Sequence, residues 1–161
     1  MVVYAAAALF ELFQGQEAII DLEYKTSELQ FAKNIDDFRH GRIDLFVDAG
    51  PTDGLIFIEF KRYMNFLSIT SDIDRVASLT QGAKAVGLKS SGYVAGPLYL
   101  DEGQENTFRQ SYENKLVTSL WPQHRVIPRI GVEQTLPCKV HNNKDGILDR
   151  HLAVVVEIAT L

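Results

Sequence analysis

Residues 42 to 62 read RIDLFVDAGPTDGLIFIEFKR, and this stretch decides the fold. Two β-rich runs, Arg42 to Ala49 and Leu55 to Arg62, flank Gly50, Pro51, Thr52, Asp53 and Gly54, whose composition predicts a hairpin turn. Side chains on a strand alternate between faces. Asp44, Phe46 and Asp48 therefore share one face of the first strand, and Leu55, Phe57, Glu59 and Lys61 share one face of the second. With these faces in register, Asp44, Glu59 and Lys61 converge near one end of the sheet in otherwise apolar company.

Working outward, Val2 to Gln14 carries a helical apolar stripe and four consecutive alanines, with Gly15 as its stop. Ala18 to Lys25 reads as a strand, and residues 26 to 39 as a loop with room for a short helical turn. Downstream, Ile73, Val76, Leu79, Ala83 and Val86 mark a helix over Ser71 to Val86, with Ser71 as N-cap and Gly87 as stop. Gly92 to Leu100 reads as a strand in which Pro97 predicts an edge position or a bulge. The order over residues 2 to 100 is thus α-β-β-β-α-β. Beyond it, Glu105 to Leu120 reads as a helix, and Arg125 to Ile130 and Leu152 to Ile158 as strands. No repeat or linker divides the chain. The expectation is one α/β domain, a central mixed sheet flanked by helices, with a core over about 2–100 and a C-terminal α/β extension over about 101–161.

Two carboxylates a few ångströms apart repel, and burial makes both charges costly. A divalent cation resolves the conflict: Mg²⁺ takes hard oxygen ligands and needs only one or two carboxylates beside water and phosphate. Such an ion can activate water and stabilise the charge that builds on a phosphodiester under attack. Lys61 is placed to orient that water, help deprotonate it or neutralise developing charge.

Gly41-Arg42-Ile43-Asp44-Leu45, followed by Ile58-Glu59-Phe60-Lys61 fifteen residues after Asp44, resembles the PD-(D/E)xK nuclease superfamily, the restriction-endonuclease-like fold. The α-β-β-β-α-β order matches that family's core. Ile43 stands where the motif's name has proline, a departure the family often tolerates. The resemblance implies that Asp44 and Glu59 hold Mg²⁺ or Mn²⁺, that the Phe60 carbonyl is a third ligand, and that Lys61 is the catalytic lysine. It also implies an auxiliary glutamate from the first helix, Glu11 before Glu17, and a polar helper on the later helix, Gln81. The function it implies is a metal-dependent nuclease that hydrolyses phosphodiester bonds in nucleic acid, DNA before RNA, often as a homodimer or beside a fused partner. The alternative is a nuclease-fold module that no longer cuts and serves as a nucleic-acid- or protein-binding partner. Two further E-x-K triplets lack the same setting: no Asp-bearing strand precedes Glu23-Tyr24-Lys25, and Glu113-Asn114-Lys115 falls inside a helical pattern.

Plainer accounts stand beside these. Asp44, Glu59 and Lys61 could form a cross-strand ion-pair ladder on a solvated sheet face. Arg42, Arg62 and His40, with Lys33 and Arg39, suit phosphate contacts but equally an ordinary charged surface. Asp48 is a second acid on the Asp44 face or simply a strand-end turn residue. The chain of 161 residues is 46% hydrophobic and 23% charged, an ordinary globular composition. A net charge of −5 means that any nucleic-acid contact must rest on a local site. One cysteine, Cys138, precludes an intramolecular disulfide and suits a reducing, intracellular setting. Cys138, His141 and His151 match no zinc spacing. No apolar run is long enough to span a membrane, and Met1 to Phe13, which contains Glu11, lacks the basic start of a signal peptide. Phosphate-loop, nucleophile-elbow and H-E-x-x-H motifs are absent.

Overall fold

The computed structural model describes residues 2–14, 17–32, 41–62, 64, 66–100, 110, 114, 124–130 and 150–160. Helix α1 (Val2–Leu12) precedes strand β1 (Ile19–Lys25), and two single 3-10 turns follow at Thr26–Glu28 and Gln30–Ala32. Strand β2 (Arg42–Asp48) and strand β3 (Leu55–Phe60) are joined through one helical turn, α2 (Gly50–Asp53). Helix α3 (Phe66–Ala85) leads to β4 (Ser90–Leu100), and β5 (His124–Ile130) and β6 (Arg150–Thr160) complete the described elements. The six strands form one mixed sheet in the order β1-β2-β3-β4-β6-β5. Only β3 and β4 run parallel, because α3 carries the chain across between them; the other neighbours are antiparallel. Of the helix expected over Glu105 to Leu120, Gln110 and Asn114 are described and both are helical; the rest lies outside the described residues, as do His40, Lys33, Arg39, Cys138 and His141.

Apolar periodicity accounts for these elements. Ile69, Ile73, Val76, Leu79 and Ala83 are fully buried along α3 and pack on Phe46, Phe57, Val94, Val156 and Ile158 of the sheet. Strand β2 is buried on both faces: Ile43, Leu45 and Val47 on one, Phe46 on the other. Rings chain through this core, with centroids of Tyr24 and Phe46 4.5 Å apart, Phe46 and Phe57 5.7 Å, and Phe31 and Phe57 6.3 Å.

Three local readings are corrected, and one strand carries an irregularity outside those readings. The turn at 50–54 is a helical turn rather than an open hairpin, closed by the Ala49 amide on the Gly54 carbonyl at 2.9 Å; Gly54 has φ 81°. Helix α3 starts at Phe66, not Ser71, because Ile69 is fully buried and draws the preceding turn into the core. Pro97 lies in an interior strand, pairing with Ala153 of β6. Its carbonyl accepts from Met64 beyond the end of β3, so its own nitrogen faces a side where the neighbouring strand has already stopped. Finally, β1 does not alternate regularly. Glu23 has φ 53°, its pairing is skipped between Leu22–Leu45 and Tyr24–Ile43, and Tyr24 immediately after it stacks on Phe46.

Candidate functional site

The cluster is assembled by the β2–β3 register. Phe46 lies opposite Phe57 and Leu45 opposite Ile58, where the paired register ends, and alternation puts Asp44 and Glu59 on the Phe46–Phe57 face just beyond it. The Phe60 amide donates to Asp44 Oδ2 at 2.7 Å, tying this carboxylate to the neighbouring strand. Lys61 follows on the same face as Glu59, and its amide donates to the Ala95 carbonyl of β4 at 2.8 Å. Gly96 makes that approach possible: a Cβ there would stand 2.4 Å from the Lys61 carbonyl oxygen.

Helix α3 closes the cluster from above with Asp72 and Arg75. The Lys61 ammonium pairs with Asp72 Oδ2 at 2.5 Å, and the Arg75 guanidinium pairs with Glu59 through Nη2. The same Nη2 is 3.9 Å from Asp72 Oδ1. Glu59 is 3% exposed and Asp72 6%, so neither belongs to a solvated face, and the ladder account fails in that form. Burial lowers the Arg75 pKa, while the charge of Asp44 acts in the opposite direction. Arg75 is thus within the field of all three carboxylates.

The remaining candidates are placed less closely. Glu11 sits exposed in the last turn of α1, which packs on β1 and β2, and no hydrogen bond or ion pair joins it to the cluster among the described residues. Glu17 is exposed between α1 and β1. Gln81 lies nine residues beyond Asp72, half a turn round the helix and roughly 14 Å along its axis, so α3 does not bring it to Lys61. Arg42 and Arg62 are exposed at the ends of β2 and β3 that carry the cluster. Asp48 lies at the opposite end of β2, where its Oδ1 accepts from the Gly50 amide at 3.0 Å. His40 lies outside the described residues.

Sequence reasoning missed Asp72 and Arg75. The signal was present for Asp72, which interrupts the buried Ile69, Ile73, Val76 stripe at helical spacing; a charge there must find a buried partner.

Among the described residues, no three Asp, Glu, His or Cys side chains are gathered as a metal-binding group. Glu59 is directed to Arg75 and Asp72 to Lys61 instead. The donor set itself, the Asp44 and Glu59 carboxylates with the Phe60 carbonyl next to Glu59 in sequence, consists of hard oxygens and suits Mg²⁺ or Mn²⁺. Charge points the same way: Asp44, Glu59 and Asp72 outnumber Lys61 and Arg75, leaving one formal negative charge in a half-buried cluster. The residues therefore fit a divalent cation. Compared with protein-family models, with curated proteins and with solved structures, the chain matches none.

Proposed function

We propose that this chain is a metal-dependent nuclease of the PD-(D/E)xK, restriction-endonuclease-like type, hydrolysing phosphodiester bonds in nucleic acid, with DNA as the first substrate to try. The observation that carries the reading is the meeting of Asp44, Glu59 and Lys61 on one face, under α3, at adjoining ends of β2 and β3. The element order α-β-β-β-α-β, with short helical turns added, supports it as well. Asp44 and Glu59 would hold Mg²⁺ or Mn²⁺, with the Phe60 carbonyl as a third ligand. The ion would supply an activated water and charge stabilisation at the phosphate.

This chain's own residues then have distinct tasks. The Phe60 amide fixes the direction of the Asp44 carboxylate. Asp72 holds the Lys61 ammonium, which remains 30% exposed and so can reach a water or a phosphate oxygen at the surface of the cluster. Arg42 and Arg62 offer cationic groups to the flanking phosphates. The test is cleavage of single-stranded, duplex and supercoiled DNA and of RNA, in Mg²⁺, Mn²⁺ and EDTA. Wild type cuts with either metal and stops in EDTA. Lys61→Ala keeps the far-ultraviolet spectrum and loses at least about a hundredfold in rate, the usual worth of a positioned acid–base group. Cutting by Lys61→Ala at the wild-type rate would falsify the mechanism.

One observation favours a second reading, a nuclease-fold module that binds without cutting. Glu59 and Lys61 are both engaged by α3, through Arg75 and Asp72. A site used only for structure would look like this. Absence of cutting on every substrate, with nucleic acid still bound, would transfer the assignment to that reading.

A further inference from the structure

Arg75 occupies its place in an unusual way. A structural arginine commonly meets a carboxylate with two parallel N–H groups of its fork. Here one terminal nitrogen, Nη2, serves Glu59 and leans toward Asp72, while the buried Nε has no hydrogen-bond partner among the described residues. Exposure is also unequal across the pair: the Arg75 side chain is 31% exposed, that of Glu59 4%. The arginine has an exit to solvent, whereas the glutamate has none.

We infer that Arg75 is an internal counter-ion competing with the divalent cation for Glu59, and that it must swing outward before the metal site forms. This rests on the metal-site reading above. Without metal, the guanidinium keeps Glu59 from being buried as an uncompensated charge. With metal, the two cations would repel, and the one on a flexible, partly exposed side chain is the one that leaves. Metal affinity is therefore weakened by the free energy of the Arg75–Glu59 pair, a cost that removing the guanidinium abolishes.

The experiment is Mn²⁺ titration of the full chain, followed by calorimetry and by the loss of free-ion paramagnetic resonance signal. Wild type, Arg75→Gln, Arg75→Lys and Asp44→Asn are compared, with folding checked by circular dichroism. Arg75→Gln is expected to bind Mn²⁺ about tenfold more tightly, which corresponds to about 1.4 kcal/mol. Arg75→Lys, which keeps the charge, stays within a few-fold of wild type, and Asp44→Asn loses the site. Equal or weaker binding by folded Arg75→Gln, with Asp44→Asn still abolishing it, would overturn the competition and leave the metal site standing. No saturable binding by wild type or Arg75→Gln would overturn both. If Arg75→Gln does not fold, wild type alone decides. Saturating Mg²⁺ should then move the Arg75 Nε resonance to the position of free arginine, and an unmoved resonance with Mg²⁺ bound refutes the displacement.

Discussion

Glu23 occupies the left-handed region at φ 53°, a conformation that costs a non-glycine residue roughly 1–2 kcal/mol. It persists because the broken alternation turns Tyr24 onto Phe46, extending the aromatic core to the edge strand. Tyr24 carries a second consequence. Burial raises its phenol above the ordinary value of 10.0, and the charges of Glu28, Asp21 and Asp48 push the same way. The fold therefore favours the protonated phenol. Its contribution to stability is complete below the unfolded value, near 10, and is lost as pH climbs through the higher folded-state value. Urea midpoints of wild type and Tyr24→Phe, compared at about pH 8 and pH 10.5, should show wild type losing ground on the variant at the higher pH. A constant difference between the two proteins would refute the linkage.

At the scale of elements, β2, β3 and α3 were legible because each is fixed by its own periodicity. Alternating Ile43, Leu45, Val47 and the stripe Ile73, Val76, Leu79, Ala83 name their buried faces without outside help. That Asp44 and Glu59 share the face of Phe46 and Phe57 followed from the same alternation. Other features depend on partners distant in the chain. Pro97 is acceptable in an interior strand only because β3 ends at Phe60, and no local pattern records that. The partners of Glu59 and Lys61 come from a helix whose rotation about its axis sets which residues face the sheet. That rotation selects Asp72 and Arg75 and leaves Gln81 on another side. Gly96 shows how tightly the elements are fitted around Lys61. A methyl group there meets the Lys61 carbonyl at 2.4 Å and the Met64 side chain at 3.0 Å. Gly96→Ala is expected to lower stability by about 1–3 kcal/mol, measured by urea unfolding, since the backbone of β4 or of residues 61–64 must yield. An unchanged urea midpoint would show that this strand end is looser than its packing indicates.

For the molecule as a whole, Asp44, Glu59, Lys61, Asp72 and Arg75 join β2, β3 and α3, so a cation held there, as proposed, would be coupled to global stability. Mg²⁺ at a hundred times its dissociation constant should raise stability by about 2.7 kcal/mol, or roughly 5–10 °C in melting temperature for a domain of this size. Asp44→Asn should remove the shift; a shift of equal size in that variant would place the cation elsewhere. No helix among the described residues is long and apolar enough to cross a membrane.

The order of the sheet also bears on how the chain is made. Strand β6 follows β5 in sequence, yet it lies between β4 and β5, with nine residue pairs to β4. During synthesis, residues 2 to 100 emerge with β1 to β4 complete and the cluster of Asp44, Glu59, Lys61, Asp72 and Arg75 already contained within them. The 11-residue β4 then waits for the segment that borders it until residues 150–160 leave the ribosome. A chain stalled in that interval holds its site residues together but lacks the strand that pairs with β4. Such a ribosome-bound intermediate would hold these side chains together before its sheet was complete, with a long main-chain edge able to recruit the same edge of a neighbouring nascent chain.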